Sequence, residues 1–184
     1  MRLDGNPRII LSLLTLAILT TMSCGSSDDG LNTPNPPSGS GGEVNENLAP
    51  TFSIETTDGT TLETSQFVGK TLVIFFFGYN CPPCKAVGPD VESRLHQAFK
   101  DDNDFAIIGA DQWEGNDAGV DNFQALTGIT FPLGKKGAQM ARDFGTTYDR
   151  LVVINNEGEI VFRGSNIVAN HLDEVVGLID DLLD

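Results

Sequence analysis

The chain has 184 residues and a formal charge of −15, set by 26 acidic against 11 basic side chains. That length holds about one ordinary domain, and the charge argues against nucleic acid and anionic lipid surfaces as partners. Three cysteines are present: Cys24 stands alone and Cys81 and Cys84 form a pair.

The first element is an apolar run from Ile9 to Thr21 behind Arg2 and Arg8. It is too short to span a bilayer and reads as the h-region of a signal peptide, so the chain is expected to be exported. The stretch Thr21-Met22-Ser23-Cys24-Gly25 resembles a bacterial lipoprotein box, with small Ser23 before the cysteine and Thr21 where leucine is usual. This implies a signal peptide over 1–23, acylation of Cys24 and attachment to a membrane. Gly25 is not the aspartate associated with inner-membrane retention. The implied location is therefore the bacterial cell envelope, at the outer membrane, facing the periplasm or cell surface. Loss of Arg2, Asp4 and Arg8 would leave the mature chain one unit more negative.

Residues 24–47 are rich in Ser, Gly, Asn, Pro and Asp and nearly lack large apolar side chains. Such a segment buries too little surface to offset ordering and is expected to be a flexible tether with a reach of about 25 to 30 Å.

A single domain is expected over 48–184. Buried-strand runs lie at Thr71 to Phe77, Phe105 to Ala110 and Leu151 to Ile154, and Glu159 to Phe162 follows the last across the turn Asn155-Asn156-Glu157-Gly158. Helical stripes lie between them: Cys84, Val87, Val91, Leu95 and Phe99; Val120, Phe123 and Leu126; Ala138, Ala141 and Phe144. A final helix carries Leu172, Val175, Val176, Ile179 and Leu183, with Asn170 as the expected N-cap and Asp173 and Glu174 in its first turn. Alternating strands and helices imply an α/β fold, a central mixed β-sheet flanked by helices on both faces and closed by an antiparallel hairpin.

The chemistry centres on Cys81-Pro82-Pro83-Cys84, directly after the apolar run Leu72 to Phe77. A helix starting there leaves backbone N–H groups and a positive dipole end beside Cys81, favouring thiolate over thiol. Cys81 is then the nucleophile, and Cys84, one turn on, can displace a bound partner by closing an internal disulfide. The competing use of this spacing is half a zinc site, but zinc needs four ligands, and only Cys24, His96 and His171 remain. Both histidines fall on expected helices and read as surface residues. Lys85 is placed to support a Cys81 thiolate or to lie solvated. Trp113, after the strand 105–110, reads either as a lid over the sulfurs or as a packing aromatic. No cofactor is called for.

With these elements placed, residues 49–184 resemble the thioredoxin-fold proteins of the TlpA/ResA type, envelope thiol-disulfide oxidoreductases within the redoxin superfamily. The likeness rests on Ala49-Pro50-x-Phe52 with Asp58-Gly59, Phe67-x-Gly69-Lys70, Cys81-Pro82-Pro83-Cys84-Lys85 with Pro89, Phe131-Pro132, and Ile154-Asn155-Asn156-Glu157-Gly158-Glu159-Ile160-Val161. The resemblance implies that Cys81 attacks, Cys84 resolves and Pro89 kinks their helix. It also implies partners among envelope proteins bearing thiols or disulfides, together with a membrane electron carrier. Three departures touch the site: Asn80 replaces a tryptophan, Phe75 and Val87 stand where a buried acid is usual, and Asp149 falls where the family has a cis-proline.

Neighbouring families supply alternatives. A peroxiredoxin-like antioxidant would carry proline and Ser or Thr where Ile74 and Gly78 stand. A Sco-like copper chaperone would have three residues between its cysteines and a histidine near Thr147 to Arg150. A redox-inactive module using the groove only for binding is the remaining alternative.

Overall fold

The computed structural model describes residues 47–165 and 167–184, so the expected signal peptide, Cys24 and nearly all of the tether lie outside the described residues. The strands are β1 (Ser53–Thr56), β2 (Thr61–Glu63), β3 (Thr71–Phe77), β4 (Phe105–Asp111), β5 (Leu133–Lys135), β6 (Arg150–Ile154) and β7 (Ile160–Arg163). They form one mixed sheet in the order β2-β1-β5-β4-β3-β6-β7. The helices are α1 (Pro82–Val91), α2 (Gln97–Phe99), α3 (Asp117–Thr127), α4 (Ala138–Asp143) and α5 (Leu172–Leu183), and a π-helical stretch, Glu92–His96, joins α1 to α2.

Every residue of β3 is buried because both faces of the sheet are covered. Successive side chains alternate between faces, so Val73, Phe75 and Phe77 enter one core and Leu72, Ile74 and Phe76 the other. The first core is roofed by Cys84, Val87 and Val91 of α1, Val120 and Phe123 of α3, and Leu172, Val175 and Ile179 of α5. The second is closed by Met140, Ala141 and Phe144. Helices thus cover both faces, as the sequence implies.

The register sets the site. Parallel pairing puts Phe77 opposite Asp111, and antiparallel pairing puts Phe76 opposite Arg150. The ends of β3 and β4 and the start of β6 therefore share one sheet edge, which gathers the loops at 78–81, 112–116 and 147–149.

Three expectations need correction. Asn170 does not cap α5: a 3-10 turn at Val168–Asn170 engages the Asn170 and His171 N–H groups, and the helix starts after His171. Leu126 is 63% exposed and does not join Val120 and Phe123 in the core. The helix ends one residue later, at Thr127, and Gly128 with φ of 71° reverses the chain there. His96 and His171 are half-buried rather than surface residues. The π-helical turn brings His96, Gln97 and Glu92 together on the Thr130 hydroxyl, and the His96 ring stands edge-on to Phe131. His171 lies on Phe162 and pairs with Glu174.

Candidate active site

The polypeptide leaves β3 through Gly78-Tyr79-Asn80 and turns into α1, the Cys81 N–H donating to the Gly78 carbonyl at 2.8 Å. Cys81 is the N-cap, with Pro82 and Pro83 in the first helical positions, where proline's missing N–H costs nothing. The Cys84 N–H donates to Cys81 Sγ at 3.2 Å. The two cysteines are joined as a disulfide with Cα atoms 5.3 Å apart. Both are buried, Cys81 at 1% exposure and Cys84 at 0%. Lys85 Nζ donates to Asn80 Oδ1 at 2.9 Å, so the ammonium is held on the side chain that immediately precedes Cys81. Pro89 lies inside α1, and Glu92, the residue after the helix, opens the π-helical turn.

Asp111 and Trp113 carry more of the site than the sequence suggests. Asp111, fully buried at the end of β4, accepts from the N–H groups of Tyr79 at 2.8 Å, Gly115 at 2.5 Å and Trp113 at 3.3 Å. One carboxylate thus fixes the loop before Cys81 to the loop after β4. Burial pushes its pKa up, and the three N–H groups oppose the rise. The signal for it was an acid ending an otherwise apolar strand. Trp113 lies on Gly78 so closely that a Cβ there would fall 2.5 Å from the indole. It also stands edge-on to Tyr79 and to Tyr148, at 6.5 and 5.0 Å between ring centres. Trp113 thus packs on the loop entering the dithiol and leaves 38% of itself exposed at the rim.

Asp149 immediately precedes β6, the position reached by counting back from Ile154. Its backbone is left-handed, φ 54°, which is strained for a residue with a side chain. It is 3% exposed. Oδ1 accepts from the Val168 N–H at 3.3 Å, and Oδ2 is buried with no hydrogen-bond partner. Burial raises its pKa, opposed by the Val168 N–H and by Arg150, whose guanidinium donates to the Asp149 carbonyl. Asp149 lines a cavity of about 250 Å³ whose other walls include Pro83, Val87 and Asp90 of α1 and the exposed Ile167. The sequence-derived residues Asn80, Cys81, Pro82, Pro83, Cys84 and Lys85 therefore gather at the start of one helix, and Asp149 shares a cavity with it. Among the described residues no group of three or more His, Cys, Asp or Glu side chains is placed to hold a metal ion.

Comparison with known proteins agrees with this arrangement. The Redoxin family model matches residues 44–176. The thiol-disulfide oxidoreductase ResA of Bacillus subtilis is 30% identical over 118 residues, which cover 61% of this chain and 63% of that protein. The chain thus spans about three fifths of the length of the curated relatives it matches. Among solved structures, a Bacteroides thetaiotaomicron protein described as a protein disulfide isomerase is 31% identical, with a TM-score of 0.67 over 74% of this chain and 87% of that one. A Chlorobium tepidum structure described as a thiol:disulfide interchange protein of the DsbE type shares the thioredoxin fold at 16% identity, with a TM-score of 0.66 over 75% and 96% of the two chains. A mixed sheet with a cysteine pair at the head of α1 and a family match over most of its length make this chain a member of the Redoxin family.

Proposed function

We propose that the chain is a thiol-disulfide oxidoreductase that exchanges the Cys81–Cys84 dithiol and disulfide with proteins of a bacterial envelope. The observation that carries this reading is the disulfide at the N-terminus of α1, with the Cys84 N–H on Cys81 Sγ. In the reduced protein that N–H and the helix dipole favour a Cys81 thiolate. The thiolate attacks a partner disulfide, and Cys84 then attacks Cys81 Sγ, closing the internal disulfide and releasing the partner as a thiol. The reverse sequence oxidises a partner dithiol. Asn80 and Lys85 flank the attacking sulfur, Pro82 and Pro83 preset the helix start, and the Asp149 carboxylate opposes the helix field. Replacing Asp149 by Asn is therefore expected to lower the Cys81 pKa, read as alkylation rate against pH.

The test is trapping. Cys84→Ser should accumulate mixed disulfides with envelope proteins and Cys81→Ser should not, because only the former keeps the nucleophile while losing the resolving group. Equal silence from both variants would overturn the reading.

The cellular setting follows from the sequence. No described helix is long and apolar enough to cross a membrane, and acylated Cys24 would supply attachment through the 24–47 tether. Cys24→Ala should abolish labelling by a radioactive fatty acid and release the domain to the soluble fraction. Membrane association of the parent without lipid label would reject the anchor. Redox turnover then requires a membrane electron carrier to reset the pair.

A further inference from the structure

The loops at the sulfur edge use most of their polar groups on one another. The Tyr79, Trp113 and Gly115 N–H groups go to Asp111, and the Gln112 N–H goes to the Phe77 carbonyl at 2.8 Å. The Thr147 hydroxyl donates to Gln112 Oε1 at 3.1 Å, and the Asp149 carbonyl accepts from Arg150 at 2.8 Å. The start of α1 has as little to offer a partner. Pro82 and Pro83 carry no N–H, the Cys84 N–H lies on Cys81 Sγ, and the Lys85 N–H donates to the Cys81 carbonyl at 3.0 Å. Spare hydrogen-bonding capacity lies at the residue just before the attacking sulfur, the exposed Asn80. Lys85 Nζ fixes which way that side chain faces. An ammonium donates and never accepts, so the carboxamide oxygen is turned toward Lys85 and the NH2 group, with its two donors, is turned away. Among the described residues neither donor has a partner.

We propose that Asn80 is a specificity-determining residue: when a partner is held on Cys81 as a mixed disulfide, the Asn80 NH2 group donates to a main-chain carbonyl of the partner beside its linked cysteine. This rests on the exchange reading above and names the substrate class as polypeptide disulfides. A small disulfide without a peptide carbonyl has nothing in that place to accept the bond. A main-chain carbonyl is common to every polypeptide, so the contact selects chain over small molecule and not one side chain over another. Lys85 is a positioning residue that acts through Asn80. Its ammonium holds the amide in one orientation, which lowers the entropy lost on docking, and polarises it, which strengthens the N–H groups as donors. The backbone around Asn80 is held as well, because the Tyr79 N–H is on Asp111 and the Cys81 N–H closes the turn onto the Gly78 carbonyl. The donor thus keeps a constant place relative to Cys81 while Cys84 closes the internal disulfide and the partner leaves as a thiol.

The reduced full chain is mixed with one of two neutral disulfides, the dimer of N-acetyl-Gly-Cys-Gly amide or bis(2-hydroxyethyl) disulfide, and thiol release is read by chromatography after acid quench. The measured quantity is the ratio of the two second-order rate constants, peptide over small disulfide, in which a change in the reactivity of Cys81 itself cancels. Asn80→Ala should lower that ratio about fivefold, within the range of one hydrogen bond. Asn80→Gln, which keeps the NH2 group on a longer arm, should recover part of the loss. Asn80→Asp, of the same size but with no donor at neutral pH, should recover none. Lys85→Met leaves the donor in place without its orienting charge and should lower the ratio by about twofold. An Asn80→Ala or Asn80→Asp ratio equal to the parent's would overturn the proposal, and an Asn80→Gln ratio no better than that of Asn80→Ala would count against it in the same way. A Lys85→Met ratio equal to the parent's would overturn the positioning role of Lys85. A parent that releases thiol from neither disulfide would overturn the exchange reading itself, and with it this one.

Discussion

The helix that starts at Cys81 has a buried carboxylate near each end, and the two are treated in opposite ways. Glu92, just past its C-terminus, accepts from the Thr130 N–H at 2.9 Å, the Thr130 hydroxyl at 2.6 Å and Gln97 at 2.6 Å, with His96 at 3.1 Å. Asp149, across the cavity from its first turns, has a single 3.3 Å contact and one bare oxygen. Burial alone would raise both pKa values. At Glu92 the hydrogen bonds prevail and hold the value down to about 2, whereas at Asp149 they do not, and the value stays raised. Full satisfaction marks a carboxylate that builds the fold, here pinning the loop before β5 to the π-helical turn. Partial satisfaction, in a cavity beside α1, marks one that the fold tolerates.

The contrast is broken most severely at the third buried acid. Asp111 resembles Glu92 in being fully used but lies at the sulfur edge. Its replacement by Ala leaves three backbone N–H groups without their acceptor, and a loss of about 4 kcal/mol in urea unfolding is expected. Because the Tyr79 N–H is one of them, Cys81 should also become more reactive toward alkylating agents. A loss under about 1 kcal/mol would mean that water replaces the carboxylate without difficulty.

Glu92 comes next. A folded pKa of about 2 against 4.5 for the free group contributes about 3 kcal/mol, present above pH 4.5 and lost as pH falls from there toward 2. Glu92→Gln should therefore differ from the parent most at neutral pH and converge with it in acid. A gap that stays constant with pH would assign the loss to packing instead of charge.

Trp113→Ala removes the ring from Gly78 and from between Tyr79 and Tyr148. Because the indole is more than one third exposed, the expected cost is below that of a core aromatic, about 2 kcal/mol. The informative readout is again Cys81 alkylation, which should accelerate if the three aromatic rings hold the loop before the dithiol.

The sequence disclosed the parts of this comparison unevenly. Long apolar runs placed β3, β4 and the β6–β7 hairpin, and the Cys-Pro-Pro-Cys spacing placed the start of α1, because both signals are local. β1, β2 and β5 went unread: they are three or four residues long, and the pairing that makes them strands lies elsewhere in the chain. Counting back from Ile154 located Asp149. Its bare oxygen was invisible, since that depends on how the distant Val168 turn closes over it. Asp111 was passed over because its role is set by three N–H groups from two loops, and only its place at the end of an apolar strand hinted at it.

The smallest expected effect has the opposite sign from the others. Asp149 prefers its protonated form in the fold, so the stability linked to it is complete at pH values below the unfolded value of 3.8 and is lost as pH rises through the raised folded value. Asparagine stays neutral throughout and keeps an oxygen for the Val168 N–H. Asp149→Asn should therefore match the parent in acid and exceed it at neutral pH, by about 1 kcal/mol, the lower end of the cost of an unsatisfied buried polar group. The same substitution at Glu92 destabilises, so one chemical change applied near the two ends of one helix is expected to move stability in opposite directions at pH 7 and to vanish at both sites in strong acid. Urea unfolding of the two variants and the parent across pH decides it. Destabilisation by Asp149→Asn at neutral pH would show that the Asp149 charge is compensated in the fold, and the distinction between the two carboxylates would fall.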